Sequence, residues 1–431
     1  MVLSGTVALL AALAAVAVGV VAPTAAGVLV ATGVVLALAV VDALLAGSIR
    51  TLRFTRAGAT TTRLGETVTV TLTVQNRGRR RVRGRLRDAW PPSAGVTRDR
   101  FALDVSPGER RSIEVELRPS RRGDRPAHRV SVRSMGPLGL AGRMGSHVVP
   151  WTVRVLPPFH ARRHLPARLA RLREFDGRSA VQIRGAGTEF DSLREYVIGD
   201  DTRSIDWRAT ARRGDVVVRT WRPERDRHVL IVLDTGRTSA GRVGDAPRLD
   251  AAIDAALLLG TLAARAGDRV ELLAYDRRVR ATVERPAATE VLPRMVNALA
   301  GVEPELLETD HRGLAAEIRA RAGRHALVVL VTGIDSGTVE HGLLPVVGSL
   351  TGRHTVLIAS VADPRLAEMA SARGDAVAVY AAAAAEFDQQ GRHEVAELLR
   401  RSGAHVVDAP PADLPPAVAD AYLDLKAAGR L

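Results

Sequence analysis

The first 41 residues carry no charged side chain, and Asp42 is the first charge in the chain. A single helix of that length would reach about 60 Å, roughly twice the hydrocarbon thickness of a bilayer. Pro23, followed by Thr24, divides the run near its middle. Residues 5–22 and 25–46 are therefore each expected to form one spanning helix, joined by a very tight turn. A cleaved signal peptide is the rival reading, but the opening MVLSG lacks the positive n-region that such a segment needs. Arg50, Arg53 and Arg56 follow the second apolar run, and no positive residue precedes the first. The positive-inside rule then places the rest of the chain in the cytoplasm, hung from the cell membrane by a two-helix transmembrane hairpin over residues 1–47.

At 431 residues the chain is long enough for two or three domains, each with its own core. It has no cysteine, which excludes disulfides, thiol catalysis and thiolate metal sites. The net charge of +14 comes almost wholly from arginine, with Lys426 the only lysine. Such a bias reads as base composition of a GC-rich genome. The lysine and aromatic clusters that accompany nucleic-acid binding are missing, so no nucleic-acid partner is expected.

Residues 51–158 read as a β-rich module. Val68, Val70, Leu72 and Val74 alternate with Thr67, Thr69, Thr71 and Thr73, the mark of a half-buried strand. Arg79, Arg81, Arg83, Arg85 and Arg87 recur at period two opposite Val82 and Leu86, which fits one solvated strand face. Further strands at 101–105, 112–117, 127–133 and 151–156, separated by Gly/Pro turns, predict an immunoglobulin-like β-sandwich. Residues 159–226 read as a basic connector followed by a densely charged segment. His160 and His164 have metal-ligand spacing, but Pro166 interferes with a helix through both and no third ligand is placed to help.

From 227 to 431, short apolar runs alternate with amphipathic stretches. HVLIVL (228–233) and HALVVLVT (325–332) suit strands buried on both faces. The alternation predicts a doubly wound α/β domain with functional groups at the carboxyl ends of its strands, where Asp234, Thr332 and Asp335 fall. The context Asp234-Thr-Gly-Arg-Thr238 resembles the first loop of von Willebrand factor A domains, where Asp-x-Ser-x-Ser binds a divalent cation. That resemblance implies Asp234, Thr238 and Asp335 as ligands of Mg2+ or Ca2+, hard cations that take carboxylate and hydroxyl oxygens. The sequence departs from the motif at two places. Gly236 stands for the middle serine, and Gly333 stands where the later carboxylate belongs. Helix capping by Asp234 and Thr238 is the alternative.

The charged segment is GAGTEFDSLREYVIGDDTRSIDWRATARRGDVVVRTWR (185–222). Its Gly187, Glu189, Phe190, Leu193, Arg194, Glu195, Tyr196, Gly199, Asp200, Asp201, Arg203, Ile205, Asp206, Trp207, Thr210, Ala211, Arg212, Val218 and Arg219 resemble the signature of the domain of unknown function 58 (DUF58) family. The resemblance extends to the layout of hairpin, β-rich region, signature and von Willebrand factor A-like module. It implies a membrane-anchored adaptor that works with a MoxR-type AAA+ ATPase in the assembly or maturation of client proteins. From the residues alone, Asp200, Asp201 and Asp206 would supply ligands if they converged, as in a metal-dependent hydrolase. Arg194, Arg203, Arg208 and Arg212 are equally placed to neutralise them, with Phe190, Tyr196 and Trp207 as anchors, and the expectation is a docking platform and not an enzyme.

Overall fold

The computed structural model describes residues 2–21, 23–182, 189–222, 227–323, 325–335 and 339–431. The chain divides into two compact units, Met1–Pro158 and Phe159–Leu431.

In the first unit, helices α1 (Gly5–Val21) and α2 (Ala25–Leu45) pack side by side. The connection at Pro23 ends in a cap, with Thr24 Oγ1 accepting from the Gly27 amide at 3.2 Å. The segment containing α2 is long and apolar enough to cross a membrane, whereas α1 is apolar but shorter. Longer strands follow at β1 (Leu52–Gly58), β2 (Val68–Asn76), β3 (Val82–Ala89), β4 (Arg100–Val105), β5 (Arg110–Leu117), β6 (Gly123–Met135) and β7 (Ala141–Leu156). One sheet is ordered β7-β6-β3-β4, with the short strands Val2–Leu3 and Thr61–Arg63 both on β7, and the other is β1-β2-β5. Their inward residues form one core, including Val70, Leu72 and Val74 from β2 and Val82 and Leu86 from β3. Arg83, Arg85 and Arg87 are exposed on the opposite side of β3, as the period-two pattern predicts.

Burying charge in that core requires compensation. The Arg56 guanidinium, from β1, pairs with Asp88, from β3 in the other sheet, both side chains being fully buried. Arg56 also donates to the carbonyls of Ala127 and Val149, while Trp90 Nε1 donates to Asp88 at 2.9 Å. Removing either partner would strand a buried charge.

The second buried carboxylate is Asp42, in the last turn of α2. Its oxygens accept the amides of Leu138 (2.8 Å), Leu140 (2.7 Å) and Ala141 (2.9 Å) in the β6–β7 turn. A side chain on Gly136 would run into this carboxylate, so the turn needs glycine there. Arg143 Nε donates to the Ala43 carbonyl at 3.1 Å and Arg80 to that of Leu44 at 2.5 Å, which satisfies acceptors that a helix end leaves open. The first charge in the sequence is thus a structural acceptor.

The second unit opens with α3 (Leu165–Gln182), preceded by a 3₁₀ turn at His160–His164, so Pro166 sits in the first helical turn where a missing N–H costs nothing. Then come β8 (Glu189–Glu195), α4 (Trp207–Arg213) and β9 (Val217–Arg222), which place a two-stranded antiparallel hairpin where only a charged connector was expected. The rest alternates: β10 (His228–Asp234), α5 (Arg248–Arg265), β11 (Arg269–Tyr275), β12 (Val279–Val283), α6 (Val291–Ala300), α7 (His311–Ala322), β13 (Leu327–Val331), α8 (Leu344–Thr351), β14 (Thr355–Val361), α9 (Pro364–Ser371), α10 (Ala376–Arg401), β15 (His405–Ala409) and α11 (Leu414–Ala427). The sheet runs β12-β11-β10-β13-β14-β15, parallel except for β12. β10 is buried from Val229 to Asp234, as a central strand covered on both faces must be. α10 begins eighteen residues before the Glu394 expected from periodicity, because its alanine-rich start has helix propensity without an apolar stripe. Lys426, the lone lysine, reaches from α11 to Asp268 at 2.6 Å, and burial pushes the Asp268 carboxyl above its ordinary range against the pull of that ammonium.

Replacing Asp42 by Asn is expected to lower the stability of the full chain in detergent by about 1–3 kcal/mol, because the new NH2 must face at least one of the buried amides. Thermal unfolding followed by circular dichroism checks this. An unchanged midpoint would show that those amides have other acceptors.

Candidate functional site

Neighbouring connections leave the central strands in opposite directions, β10 to β11 and then, beyond β12, to β13 on the other side. In such a sheet the crevice lies at the carboxyl ends of the strands flanking that switch, here β10 and β13. Asp234 ends β10 there and is buried. One oxygen accepts the Gly236 amide (2.8 Å) and the Thr309 hydroxyl (2.5 Å). The other accepts Thr332 Oγ1 (2.6 Å) and Thr238 Oγ1 (3.1 Å). Ser239 Oγ donates to the Asp234 carbonyl at 2.6 Å, so three loops are tied to one residue.

Thr309 is absent from the sequence-level reading and explains the departure at 236. A side chain on Gly236 would collide with the Thr309 hydroxyl, which therefore takes the place of the missing serine. Its only signal was a hydroxyl beside Asp310, the residue that caps α7 through the Arg312 and Gly313 amides. At 333, a Cβ would lie 3.0 Å from Thr238 Cβ and 3.4 Å from Asp335 Oδ2, so Asp335 does reach the neighbourhood of Thr238. The structure thus brings Asp234, Thr238 and Asp335 together.

In this structure protein groups occupy their polar atoms. Both Asp234 oxygens already receive hydrogen bonds. Asp335 faces two guanidiniums, Arg392 at 3.4 Å and Arg248 at 3.6 Å. Arg392, itself buried, also binds Asp408 (2.6 Å) and Ser360 (3.0 Å), bridging the ends of β13, β14 and β15. Among the described residues there is no group of three or more His, Asp or Glu suited to a metal. A hydroxyl-wired junction is what the residues make here, with one buried carboxylate and three threonine hydroxyls as its oxygen donors.

The charged segment is built differently. β8 and β9 pair with Leu193 opposite Arg219 and Glu195 opposite Val217. Arg194 grips Asp200 with two bonds, 2.8 and 2.5 Å, and Asp200 also accepts the Val197 amide. Asp201 caps the turn at Thr202–Ser204 through the Arg203 amide. Asp206 caps α4 through the Arg208 and Ala209 amides and takes Arg219 Nε at 2.8 Å. The carboxylates therefore serve three separate local bonds. Hydrogen bonding from Arg194 holds the Asp200 carboxyl below the usual range, and the amide of Ala209 with Arg219 does the same for Asp206. Glu195, Arg203 and Arg212 are exposed, and Tyr196 is half-buried. Trp207 is exposed and does not anchor this hairpin to a core, contrary to expectation. Gly187 and the GAGT loop lie outside the described residues, as do the side chains of Glu189 and Phe190.

The second unit is thus an α/β sheet with a wired loop junction and a charged hairpin. Within it, residues 192–397 match the family described as Protein of unknown function DUF58. No curated protein matches the chain. Among solved structures, the CARDB domain of the PF1109 protein from Pyrococcus furiosus, in complex with di-metal ions, is similar at 14% identity over 24% of this chain and 86% of that one, with a TM-score of 0.19. A β-glucosidase from Listeria innocua is similar at 16% identity over 24% of this chain and 16% of that one, with a TM-score of 0.17. At such scores neither likeness bears on the fold or the function.

Gly236→Ser is expected to displace Thr309 and destabilise the second unit by about 1–3 kcal/mol, as overpacking does. Chemical denaturation checks it, and added Mg2+ should restore nothing. For the hairpin, both depressed carboxyls contribute stability that is present above the unfolded value of about 3.9 and lost as the pH falls through their lower folded values. Carboxyl chemical-shift titration should give midpoints below about 3.9 for Asp200 and Asp206.

Proposed function

We propose that this chain is a DUF58-family membrane-anchored adaptor, whose charged hairpin docks a MoxR-type AAA+ ATPase or its clients. The observation that carries this reading is an apolar surface on the hairpin. Ile198 is 96% and Trp207 69% exposed, with Val197 and Val216 also exposed beside them. Their neighbours Arg203, Arg208, Arg212 and Arg213 are exposed too. The ion pairs beneath, Arg194–Asp200 and Arg219–Asp206, fix the backbone that presents these side chains. An aromatic residue set among arginines is the composition that binding hot spots favour.

The same reading takes α1 and α2 as a transmembrane hairpin with the bulk of the chain in the cytoplasm. It takes the two-sheet module as immunoglobulin-like and the parallel sheet, with its antiparallel edge strand β12, as von Willebrand factor A-like. The strand order and the buried Asp234 at the switch support the last of these.

The test is co-purification of the full chain from membranes with a co-expressed MoxR-type AAA+ ATPase. Ile198→Asp and Trp207→Ala are each expected to cut recovery of the ATPase about tenfold or more, as hot-spot truncations do, while circular dichroism stays unchanged. Undiminished recovery with both variants would place the docking surface elsewhere.

A further inference from the structure

The β6–β7 turn is bound to the end of the apolar helix α2, and that places it at a definite depth. From Ala25 to Leu45, α2 has 21 residues, roughly 31 Å at 1.5 Å per residue, about the hydrocarbon thickness of a bilayer. Asp42 lies within that length, and its carboxylate holds the amides of Leu138, Leu140 and Ala141. The N-terminal strand Val2–Leu3 pairs with Ala141 and Gly142 on the same turn, and the Ser4 amide donates to the Leu140 carbonyl. Both segments must therefore share the depth of the last turn of α2.

Their outward side chains suit that place. Leu138 is 58% and Leu3 55% exposed. Around them stand three arginines that hold backbone carbonyls: Arg80 on Leu44, Arg143 on Ala43, and Arg133 on Leu3 at 2.8 Å. Arg133 Nε is buried and has no acceptor among the described residues. An apolar tip ringed by guanidiniums is complementary to the acyl–headgroup boundary, where long cationic side chains keep an apolar stem low and a charge at the phosphates. Backbone amides at that depth need internal acceptors, which Asp42 supplies.

We infer that the Gly136–Leu140 turn and the Val2–Leu3 strand form a lipid-facing collar: Leu3 and Leu138 enter the membrane interface, and Arg80, Arg133 and Arg143 bind the phosphates of anionic phospholipid. The inference rests on the transmembrane reading of α1 and α2. It makes the β module a body seated on the bilayer and not one tethered below it.

The chain has no cysteine, so single spin labels are placed directly on the full chain in vesicles. Labels at Leu3→Cys, Leu36→Cys, Leu138→Cys and Glu114→Cys are compared for collision with oxygen and with a water-soluble nickel chelate. The expected result is a several-fold higher oxygen-to-nickel ratio at positions 3, 36 and 138 than at 114. If position 36 is lipid-accessible but 3 and 138 resemble 114, the collar is refuted and the anchor stands. If position 36 also resembles 114, the transmembrane reading fails with it. In the second arm, the label at 138 sits deeper in vesicles containing phosphatidylglycerol than in pure phosphatidylcholine. Arg80→Gln, Arg133→Gln and Arg143→Gln together abolish that difference. An equal depth in both lipids for the otherwise unaltered chain would overturn the anionic-headgroup assignment.

Discussion

A carboxylate near the end of an otherwise uncharged apolar stretch is costly unless its bonding capacity is filled, and the first unit is arranged to fill that of Asp42. Three amides converge on it from a turn about a hundred residues away, and a glycine leaves the space that the approach requires. The turn, the β6–β7 strands it joins and the N-terminal strand beside them follow from that contact. The Arg56–Asp88 pair repeats the logic inside the two-sheet core, where a guanidinium from one sheet answers a carboxylate from the other. In the Arg56–Asp88 pair the buried charges fix geometry more than they add stability, since such pairs roughly offset their own desolvation.

The second unit uses hydroxyls for a similar end. Asp234 stands at the switch of the parallel sheet, where α/β folds gather ligands, yet threonines from three loops fill its oxygens. Topology sets the position of that site, and the threonines set its content. Arg392 then joins the ends of three strands through Asp335, Ser360 and Asp408. Charge in this crevice is balanced internally. On the charged hairpin the ion pairs support the frame, and the exposed tryptophan and isoleucine carry the proposed docking surface.

How much of this was legible depended on whether a pattern or a long-range contact decided it. The apolar runs, the period-two strands and the buried β10 and β13 were readable because burial imposes its period on residue type. The β8–β9 hairpin was not, because charge density masked an alternation too short to stand out. The first half of α10 was missed because alanine makes helix without marking a face. Among site residues, Asp234, Thr332 and Asp335 were found by their place after strands, and Thr238 by the resemblance of its loop. Thr309 and Arg392 were not, since each arrives from an element remote in sequence. Asp42 was read as the end of an apolar run, and only its bonds show it as an acceptor.

The pairing of Lys426 with Asp268 also has a meaning in time. Asp268 stands just before β11, and its ion-pair partner lies on α11, 158 residues further along the chain. A chain growing from the ribosome has the Met1–Pro158 unit complete long before that lysine exists. The Phe159–Leu431 unit cannot bury that carboxylate against its cation until α11 has been made and packed. A chain cut short before α11 would therefore pair a finished first unit with a second whose Asp268 lacks its cation.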